Sequence, residues 1–431
     1  MTDSRTAPAW TDHAIGWHVY PLGFTGAPIH DRQAAGAPVD GDFPTRLDHL
    51  TAWLDYIREL GLNVLQLGPV FQSSTHGYDT TDFFAVDDRL GDDGAFDRLI
   101  AAAHERGIRV LLDGVFNHVG RQHPAVQEAL GDADSGAARL FAIERGEDGP
   151  KLPVFEGHDA LVELDHGSDA VKDLVRDVML HWLRRGADGW RLDAAYSVDP
   201  AFWACVLPQV REEFPDAFIY GEVIHGDYPD IVAKSGMDSV TEYELWKATW
   251  SSLKEGNFYE LEWTLRRHNG FLESFRPVTF VGNHDVTRIA TQVGAEKSVL
   301  ALAVLMTLGG VPLVYYGDEQ GYTGVKKEDW GGDDEIRPVF PASPGDLSDL
   351  GERIERAHRG LIGLRRRHPW LRDATAQVAD IDNLRLVYNV EGHDDGGAFR
   401  QLNVELDMTD AKAPWVVIRE HGEEVYRFPD A

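Results

Sequence analysis

Cysteine is nearly absent from this chain of 431 residues, because Cys205 is the only one and no internal disulfide can form. Cys205 lies in the apolar run AFWACVLP, which predicts a small core residue. Long apolar runs are also missing, and none reaches the 18 or so residues that a membrane span needs. The N-terminal stretch lacks the basic start and apolar segment of a signal peptide. We therefore expect a cytoplasmic protein without a membrane partner.

Basic residues are scarce as well: 41 Lys and Arg stand against 72 Asp and Glu, giving a formal net charge of −31. This balance argues against nucleic acids and anionic membranes as partners, since both are bound through basic surfaces. The acidic residues are spread along the chain, which indicates a highly soluble surface. Neutral sugars are indifferent to such a field, whereas anionic substrates are repelled.

Short β-rich runs alternate with helical patterns along most of the chain, which favours βα units around a parallel sheet. Helical stretches such as RLDHLTAWLDYIRELG and GAFDRLIAAAHERG each end on a glycine, Gly61 and Gly107, where a left-handed cap is expected. Eight such strands fit a (β/α)8 TIM barrel of the α/β class. The predicted strands are Ile15–Tyr20, Val64–Leu67, Arg109–Asp113, Gly189–Asp193, Phe218–Glu222, Ser239–Glu242, Val278–Val281 and Val311–Tyr315.

One connection is too long for a simple barrel loop. About 55 residues rich in Gly, Asp, His and Pro follow the third strand, which predicts a short inserted subdomain. Beyond Arg372 the pattern alternates, as in LRLVYNV and PWVVIRE, and predicts a small C-terminal antiparallel β domain. The expected domains are barrel 1–118, inserted subdomain 119–168, barrel 169–371 and C-terminal β domain 372–431.

Charged side chains close several predicted strands at the face where barrel enzymes carry their catalytic groups. Asp113 closes strand three, Glu222 closes strand five, and His284 and Asp285 follow strand seven. Arg191 and Asp193 lie two apart on strand four and therefore face the same side.

Asp193 and Glu222 end neighbouring strands, which lie about 4.7–4.9 Å apart in a sheet. Retaining cleavage of a glycosidic bond needs a nucleophilic carboxylate and a protonated carboxyl roughly 5–5.5 Å apart. Arg191 is expected to keep Asp193 ionised, and a like-charged neighbour with partial burial is expected to raise the pKa of Glu222. His118 and His284 can bond sugar hydroxyls, and Tyr78 can stack on a sugar ring.

The ordered blocks DGVFNH, GWRLDAA, YGEV, VGNHD and GGVPLVYYGDE, with THGYDTTDFF after strand two, resemble the α-amylase family, glycoside hydrolase family 13, over nearly the full length. The resemblance implies a retaining glycoside hydrolase with Asp193 as nucleophile, Glu222 as acid/base and Asp285 as a third essential carboxylate that binds sugar hydroxyls. It also implies substrate binding by a larger set: Tyr78, His118, Arg191 and His284 at subsite −1, with Asp333 and Arg337 at subsite −2.

Within this family the chain is most similar to the cyclomaltodextrinase and neopullulanase group, and a cyclic maltosyl-maltose hydrolase is one candidate. The implied substrates are short or cyclic malto-oligosaccharides. Ile224 stands where that group often has Trp, which puts the acceptor-side preference in doubt. Two alternatives remain open: an α-glucanotransferase with the same double displacement, and a non-catalytic scaffold of the same fold.

No cofactor is expected, although many family members bind calcium through the Asn of the DGVFNH block. Asn117 occupies that place here, and its alternative role is a local hydrogen bond at a turn. Trp17, Phe24 and Trp330 are expected in the core, with contact to sugar or to a partner subunit as the alternative. The sequence thus leaves a homodimer open.

Overall fold

The computed structural model describes residues 7–30, 43–132, 134–146, 149–328 and 331–429. Within these ranges eight parallel strands form one sheet, and the predicted barrel class is confirmed. Each strand coincides with a predicted one to within two residues. In chain order they are β1 (Gly16–Val19), β2 (Val64–Leu67), β3 (Arg109–Gly114), β4 (Gly189–Leu192), β5 (Phe218–Gly221), β6 (Ser239–Val240), β7 (Val278–Phe280) and β8 (Val311–Tyr315).

The strands follow the order β6-β5-β4-β3-β2-β1-β8-β7, so sequence neighbours are spatial neighbours and β1 returns to β8. β1 pairs in parallel with β8, with Trp17 opposite Val314. The two outermost strands also meet, because Thr241, just after β6, bridges to Val278 at the start of β7. The order therefore closes into a ring, as a (β/α)8 barrel requires.

The chain divides into two compact units. The first comprises Met1–Pro8, Tyr20–Leu54 and Gln66–Asp238, and it contains β3, β4 and β5. The second comprises Ala9–Val19, Asp55–Leu65 and Ser239–Ala431, with β1, β6, β7, β8 and the C-terminal strands.

One predicted helix is interrupted. RLDHLTAWLDYIRELG folds as two helices, because the N–H groups of Ala52 and Trp53 donate to carbonyls three residues back and tighten the chain between them. Gly61 and Gly107 both have left-handed φ angles, +90° and +72°, as expected after a helix. The α-helices are Pro21–Phe24, Arg46–Thr51, Leu54–Leu60, Asp93–Glu105, Pro124–Gly131, Asp169–Arg184, Pro200–Glu213, Tyr228–Ser235, Tyr243–Glu255, Tyr259–Leu272, Ile289–Val293, Ala295–Thr307 and Glu352–Arg367.

Short pairings occupy the long connection after β3. His118–Gly120 pairs antiparallel with Leu161–Glu163, and Glu144–Gly146 pairs with Gly149–Lys151. Upstream, Phe71–Ser73 pairs with Thr80–Val86. After the last helix, the described residues form the expected antiparallel sheet, with strands Thr375–Ile381 (β9), Arg385–His393 (β10), Phe399–Asp407 (β11), Trp415–Glu420 (β12) and Glu423–Phe428 (β13) in meander order.

Two of the three aromatic side chains assigned to the core are indeed there, since Trp17 and Phe24 are fully buried. Trp330 lies outside the described residues. The prediction for Cys205 is wrong: its side chain is exposed, because it lies on the outer face of helix Pro200–Glu213 while Trp203 and Val206 occupy the inner face. None of the described helices combines the length and the apolar character of a membrane-spanning segment.

Glu319, just after β8, is fully buried. It accepts a hydrogen bond from the Gly317 N–H at 2.9 Å, and the indole N–H of Trp17 and the hydroxyl of Tyr56 approach it at 3.5 Å. Burial raises the pKa of Glu319 from 4.5 to about 8, so the carboxyl is protonated at neutral pH.

We expect Glu319→Gln to remove a pH-dependent part of the stability. The folded protein retains the Glu319 proton up to about pH 8, whereas the unfolded chain releases it near pH 4.5, so the free energy of unfolding falls with rising pH between these values. The slope from this one proton is at most about 1.4 kcal/mol per pH unit. Urea unfolding of both proteins at pH 5, 6, 7 and 8 should show the variant gaining relative to wild type as the pH rises. A constant difference would contradict the assignment.

Candidate active site

Arg191 joins three carboxylates in the first unit. Its Nη1 lies 2.6 Å from Asp113 Oδ1 and 3.0 Å from Asp193 Oδ1, and its Nη2 lies 2.7 Å from Glu222 Oε1. All four residues are more than nine-tenths buried. One guanidinium therefore holds both carboxylates that the sequence singled out for catalysis.

Strand register brings these groups together. Arg191 on β4 is opposite Asp113 on β3 and Tyr220 on β5, and Leu192 is opposite Gly221. Two residues beyond Arg191 and Tyr220, the same register sets Asp193 beside Glu222. Both carboxylate residues come one position after their strands rather than ending them, which corrects the predicted strand bounds. Their backbones remain tied to the sheet, because the Asp193 N–H donates to Gly114 O at 3.0 Å and the Glu222 N–H to Leu192 O at 2.8 Å.

The turn after β4 is sharp. Ala194 has left-handed backbone angles, φ +46° and ψ +34°, which cost an L-residue roughly 1–2 kcal/mol. In this conformation its N–H donates to Glu222 Oε2 at 3.1 Å. Gly221 permits the close approach, since a Cβ there would lie 2.9 Å from Ala195 Cβ. The turn thus holds one oxygen of the Glu222 carboxylate while Arg191 Nη2 holds the other.

The surrounding carboxylates keep the Arg191 guanidinium protonated. Burial disfavours the charged form of Arg191, but the carboxylates of Asp113 and Glu222 outweigh this effect and raise its pKa well above the usual value. One positive charge faces three carboxylates in a region shielded from solvent.

Tyr78 and His118 adjoin the same cluster. The Tyr78 hydroxyl donates to Asp113 Oδ2 at 3.1 Å, and His118 Nε2 lies 3.0 Å from the Tyr78 carbonyl oxygen. Burial lowers the pKa of His118 to about 4, so its ring is neutral near pH 7 and can donate a hydrogen bond without carrying a charge.

Asn117 makes a local hydrogen bond, which was the alternative to calcium binding: its side-chain Nδ2 lies 3.1 Å from His118 Nδ1. Across the described parts of the chain, no group of three or more His, Cys, Asp or Glu side chains is arranged to hold a metal ion.

The second unit carries the other predicted residues. Arg337 Nη2 lies 2.9 Å from both Asp285 Oδ1 and Asp333 Oδ2, and its Nε donates to His284 O. His284 Nε2 is 2.9 Å from Asp285 Oδ2, and the His284 ring lies 5.0 Å from that of His18. Asp333 and Arg337, which the family resemblance assigns to one subsite, form an ion pair.

Four contacts around these clusters were not predicted from the sequence. Asp113 accepts hydrogen bonds from both Arg191 and Tyr78, which its position at the end of a strand does not reveal. Phe155, in the irregular connection after β3, stacks on His118 with ring centroids 4.9 Å apart. Tyr196, three residues after Asp193, donates its hydroxyl to Glu156 at 2.9 Å.

Comparison with known proteins gives consistent matches. A family model described as alpha amylase, catalytic domain, matches residues 30–374. A cyclomaltodextrinase of Geobacillus thermopakistaniensis is 30% identical over 98% of this chain and 75% of its own length. Neopullulanase 2 of Thermoactinomyces vulgaris is 32% identical over 75% of this chain, which spans 59% of that protein. The chain is thus shorter than the curated relatives it matches.

A solved structure with nearly full coverage is also similar. The cyclic alpha-maltosyl-(1→6)-maltose hydrolase from Arthrobacter globiformis, in complex with cyclic alpha-maltosyl-(1→6)-maltose, has a TM-score of 0.80 and 25% identity. The alignment covers 96% of this chain and 98% of that one.

Proposed function

The chain belongs to the α-amylase family of glycoside hydrolases, and from this premise we propose that it hydrolyses α-glucosidic bonds in short or cyclic malto-oligosaccharides with retention of configuration. The observation that carries the proposal is the single Arg191 guanidinium that contacts both Asp193 and Glu222 at adjacent strand ends. Neighbouring strands are about 4.8 Å apart, close to the roughly 5–5.5 Å between carboxyl groups that retaining enzymes use.

The proposed reaction has two displacements. In the first, Glu222 gives its proton to the glycosidic oxygen while Asp193 attacks the anomeric carbon, which leaves a covalent glycosyl-enzyme and a free sugar. In the second, the Glu222 carboxylate takes a proton from water, and the water oxygen replaces Asp193 at the same carbon. Arg191 keeps Asp193 ionised and aligned, and the Ala194 N–H orients Glu222.

The remaining roles are proposed from the ordered motifs of the family. Asp285 binds the 2- and 3-hydroxyls of the sugar that is attacked and favours its distorted ring. His118, His284 and Tyr78 complete subsite −1, and Asp333 with Arg337 holds the next sugar at subsite −2. The ion pairs of Arg337 with Asp285 and Asp333 support this assignment, since a fixed guanidinium keeps both carboxylates in place for hydroxyl groups.

The cysteine content bears on where the enzyme acts. A chain with one cysteine suits a reducing compartment, so we propose that the enzyme acts in the cytoplasm, without a nucleic-acid or membrane partner.

We also propose the domain limits 118/119 and 168/169 for the inserted subdomain and 371/372 for the start of the C-terminal β domain. The cyclic maltosyl-maltose hydrolase and the two curated relatives support the choice of cyclic and short α-glucans as substrates.

A substrate screen with product identification tests the function. We expect cleavage of maltotriose, cyclodextrins, pullulan or cyclic maltosyl-maltose, and little action on trehalose or sucrose. Proton NMR during the first turnovers should show the α-anomer of the new reducing end, because two inversions restore the configuration. A first-formed β-anomer would exclude the double displacement. Products longer than maltotriose that dominate at low conversion would instead identify the α-glucanotransferase alternative.

A further inference from the structure

The short turn Phe155–Gly157, which we term the insert tip, reaches the surroundings of Asp193 at two points within the first unit. The Phe155 ring stacks on His118 at 4.9 Å with an interplanar angle of 18°. Glu156 accepts the Tyr196 hydroxyl at 2.9 Å. Glu156 holds a left-handed backbone, φ +49°, which L-residues rarely adopt outside functional sites and tight turns.

Tyr196 is fixed beside the proposed acid/base residue. Its N–H donates to the backbone oxygen of Glu222 at 3.2 Å. Its ring lies 5.8 Å from that of His225, three residues after Glu222. Tyr196 therefore contacts the backbone of Glu222, whereas Arg191 contacts its carboxylate.

The pair of Tyr196 and Glu156 faces solvent and keeps hydrogen-bonding capacity. Tyr196 is half-buried and Glu156 is exposed. Burial and the Glu156 carboxylate raise the pKa of Tyr196, so its hydroxyl remains a donor. Glu156 uses Oε1 for this bond, and in the described part of the chain its Oε2 has no hydrogen-bond partner. A carboxylate held in this way can accept a hydrogen bond from a sugar hydroxyl.

We propose that Tyr196 and Glu156 together recognise the sugar unit on the Glu222 side of the scissile bond, a role that rests on the proposed function. The leaving sugar departs, and the acceptor arrives, on the side of the group that handles its proton. When a sugar resolves the intermediate, its hydroxyl oxygen bonds to the anomeric carbon as the bond to Asp193 breaks, and its proton passes to Glu222. Water needs no such binding, so the pair favours a sugar acceptor over water.

The test compares a substrate whose leaving group is a sugar with one whose leaving group is not. For wild type, Tyr196→Phe, Glu156→Gln and the double variant, kcat/KM is measured with maltotriose and with 4-nitrophenyl α-maltoside. Tyr196→Phe retains the ring and loses only the hydroxyl. We expect kcat/KM for maltotriose to fall about three- to tenfold relative to that for the nitrophenyl substrate, the loss typical of one hydrogen bond. The double variant should fall little further, because the two groups act through one contact.

Glucose added as an acceptor gives a second readout. In Tyr196→Phe and in Glu156→Gln, the ratio of transfer product to hydrolysis product should also fall about three- to tenfold relative to wild type. Tyr259→Phe, at an exposed tyrosine of helix Tyr259–Leu272, is the matched control and should leave both ratios unchanged. Unchanged ratios in active Tyr196→Phe and Glu156→Gln enzymes would overturn this inference alone. A wild-type chain that cleaves neither substrate would remove the proposed function as well.

Discussion

Replacing Asp193 by asparagine should lower kcat for maltotriose on the order of 10⁴-fold or more while leaving the fold intact. The amide cannot form the glycosyl ester, so the first displacement is lost. Folding should survive because Asn has nearly the same volume and Arg191 keeps Asp113 and Glu222 as ion-pair partners. The measurement is steady-state hydrolysis, with circular dichroism and the unfolding midpoint as checks on structure. Near-normal activity would refute the mechanism.

A small external nucleophile can separate a chemical role of Asp193 from a structural one. Asp193→Gly opens space at the end of β4, and sodium azide should then attack the anomeric carbon in its place. We expect partial recovery with 4-nitrophenyl α-maltoside and a glycosyl azide of inverted configuration, because only one displacement occurs. A merely structural carboxylate would give no azide product.

Arg191→Met is expected to destabilise the protein by about 3–5 kcal/mol, the cost of leaving buried carboxylates without their partner. Arg191 is the shared ion-pair partner of Asp113, Asp193 and Glu222, and its side chain is 4% exposed. Guanidinium chloride unfolding at pH 7 measures the loss.

Two further variants show whether the loss comes from charge. Adding Asp113→Asn to Arg191→Met removes one of the stranded carboxylates and should restore part of the stability. Arg356→Met is the surface control, because Arg356 pairs with Glu352 where both side chains are about 60% exposed, and such pairs contribute at most about 1 kcal/mol. Equal losses of unfolding free energy in Arg191→Met and Arg356→Met would mean that the buried carboxylates do not depend on the Arg191 charge.

Much of the barrel could be predicted because buried parallel strands and amphipathic helices leave clear patterns. β2 and β8 have the predicted bounds, and the others differ only at their ends. The ends fail because hydrophobic pattern does not reveal where ladder pairing stops: Asp193 and Glu222 continue the direction of their strands but lie beyond them. The exposed Cys205 was missed because a short apolar run does not tell which side of a helix packs inward. The interrupted helix after Thr45 was missed because its break depends on local hydrogen bonds of Ala52 and Trp53, which leave no hydrophobic pattern.

The candidate site was predictable where its residues are close in sequence or fixed by strand register. Arg191 and Asp193 share a face through a spacing of two, and Asp333 and Arg337 meet through a spacing of four. The contact of Arg191 with Glu222 required the actual strand order. Glu156 and Tyr196 lie 40 residues apart, and one of them belongs to an irregular turn, so no periodicity could have joined them.

The pairing of β1 with β8 has a consequence for how this protein is made. Trp17 and Glu319 are 302 residues apart, and β1 has no partner on that edge until β8 has left the ribosome. At synthesis rates of about 5–20 residues per second, this edge of the first strand remains unpaired for roughly 15 to 60 s. Contacts of such long sequence separation also slow folding after synthesis. We therefore expect nascent chains to present an open strand edge to chaperones throughout translation, and chains truncated before β8 to aggregate.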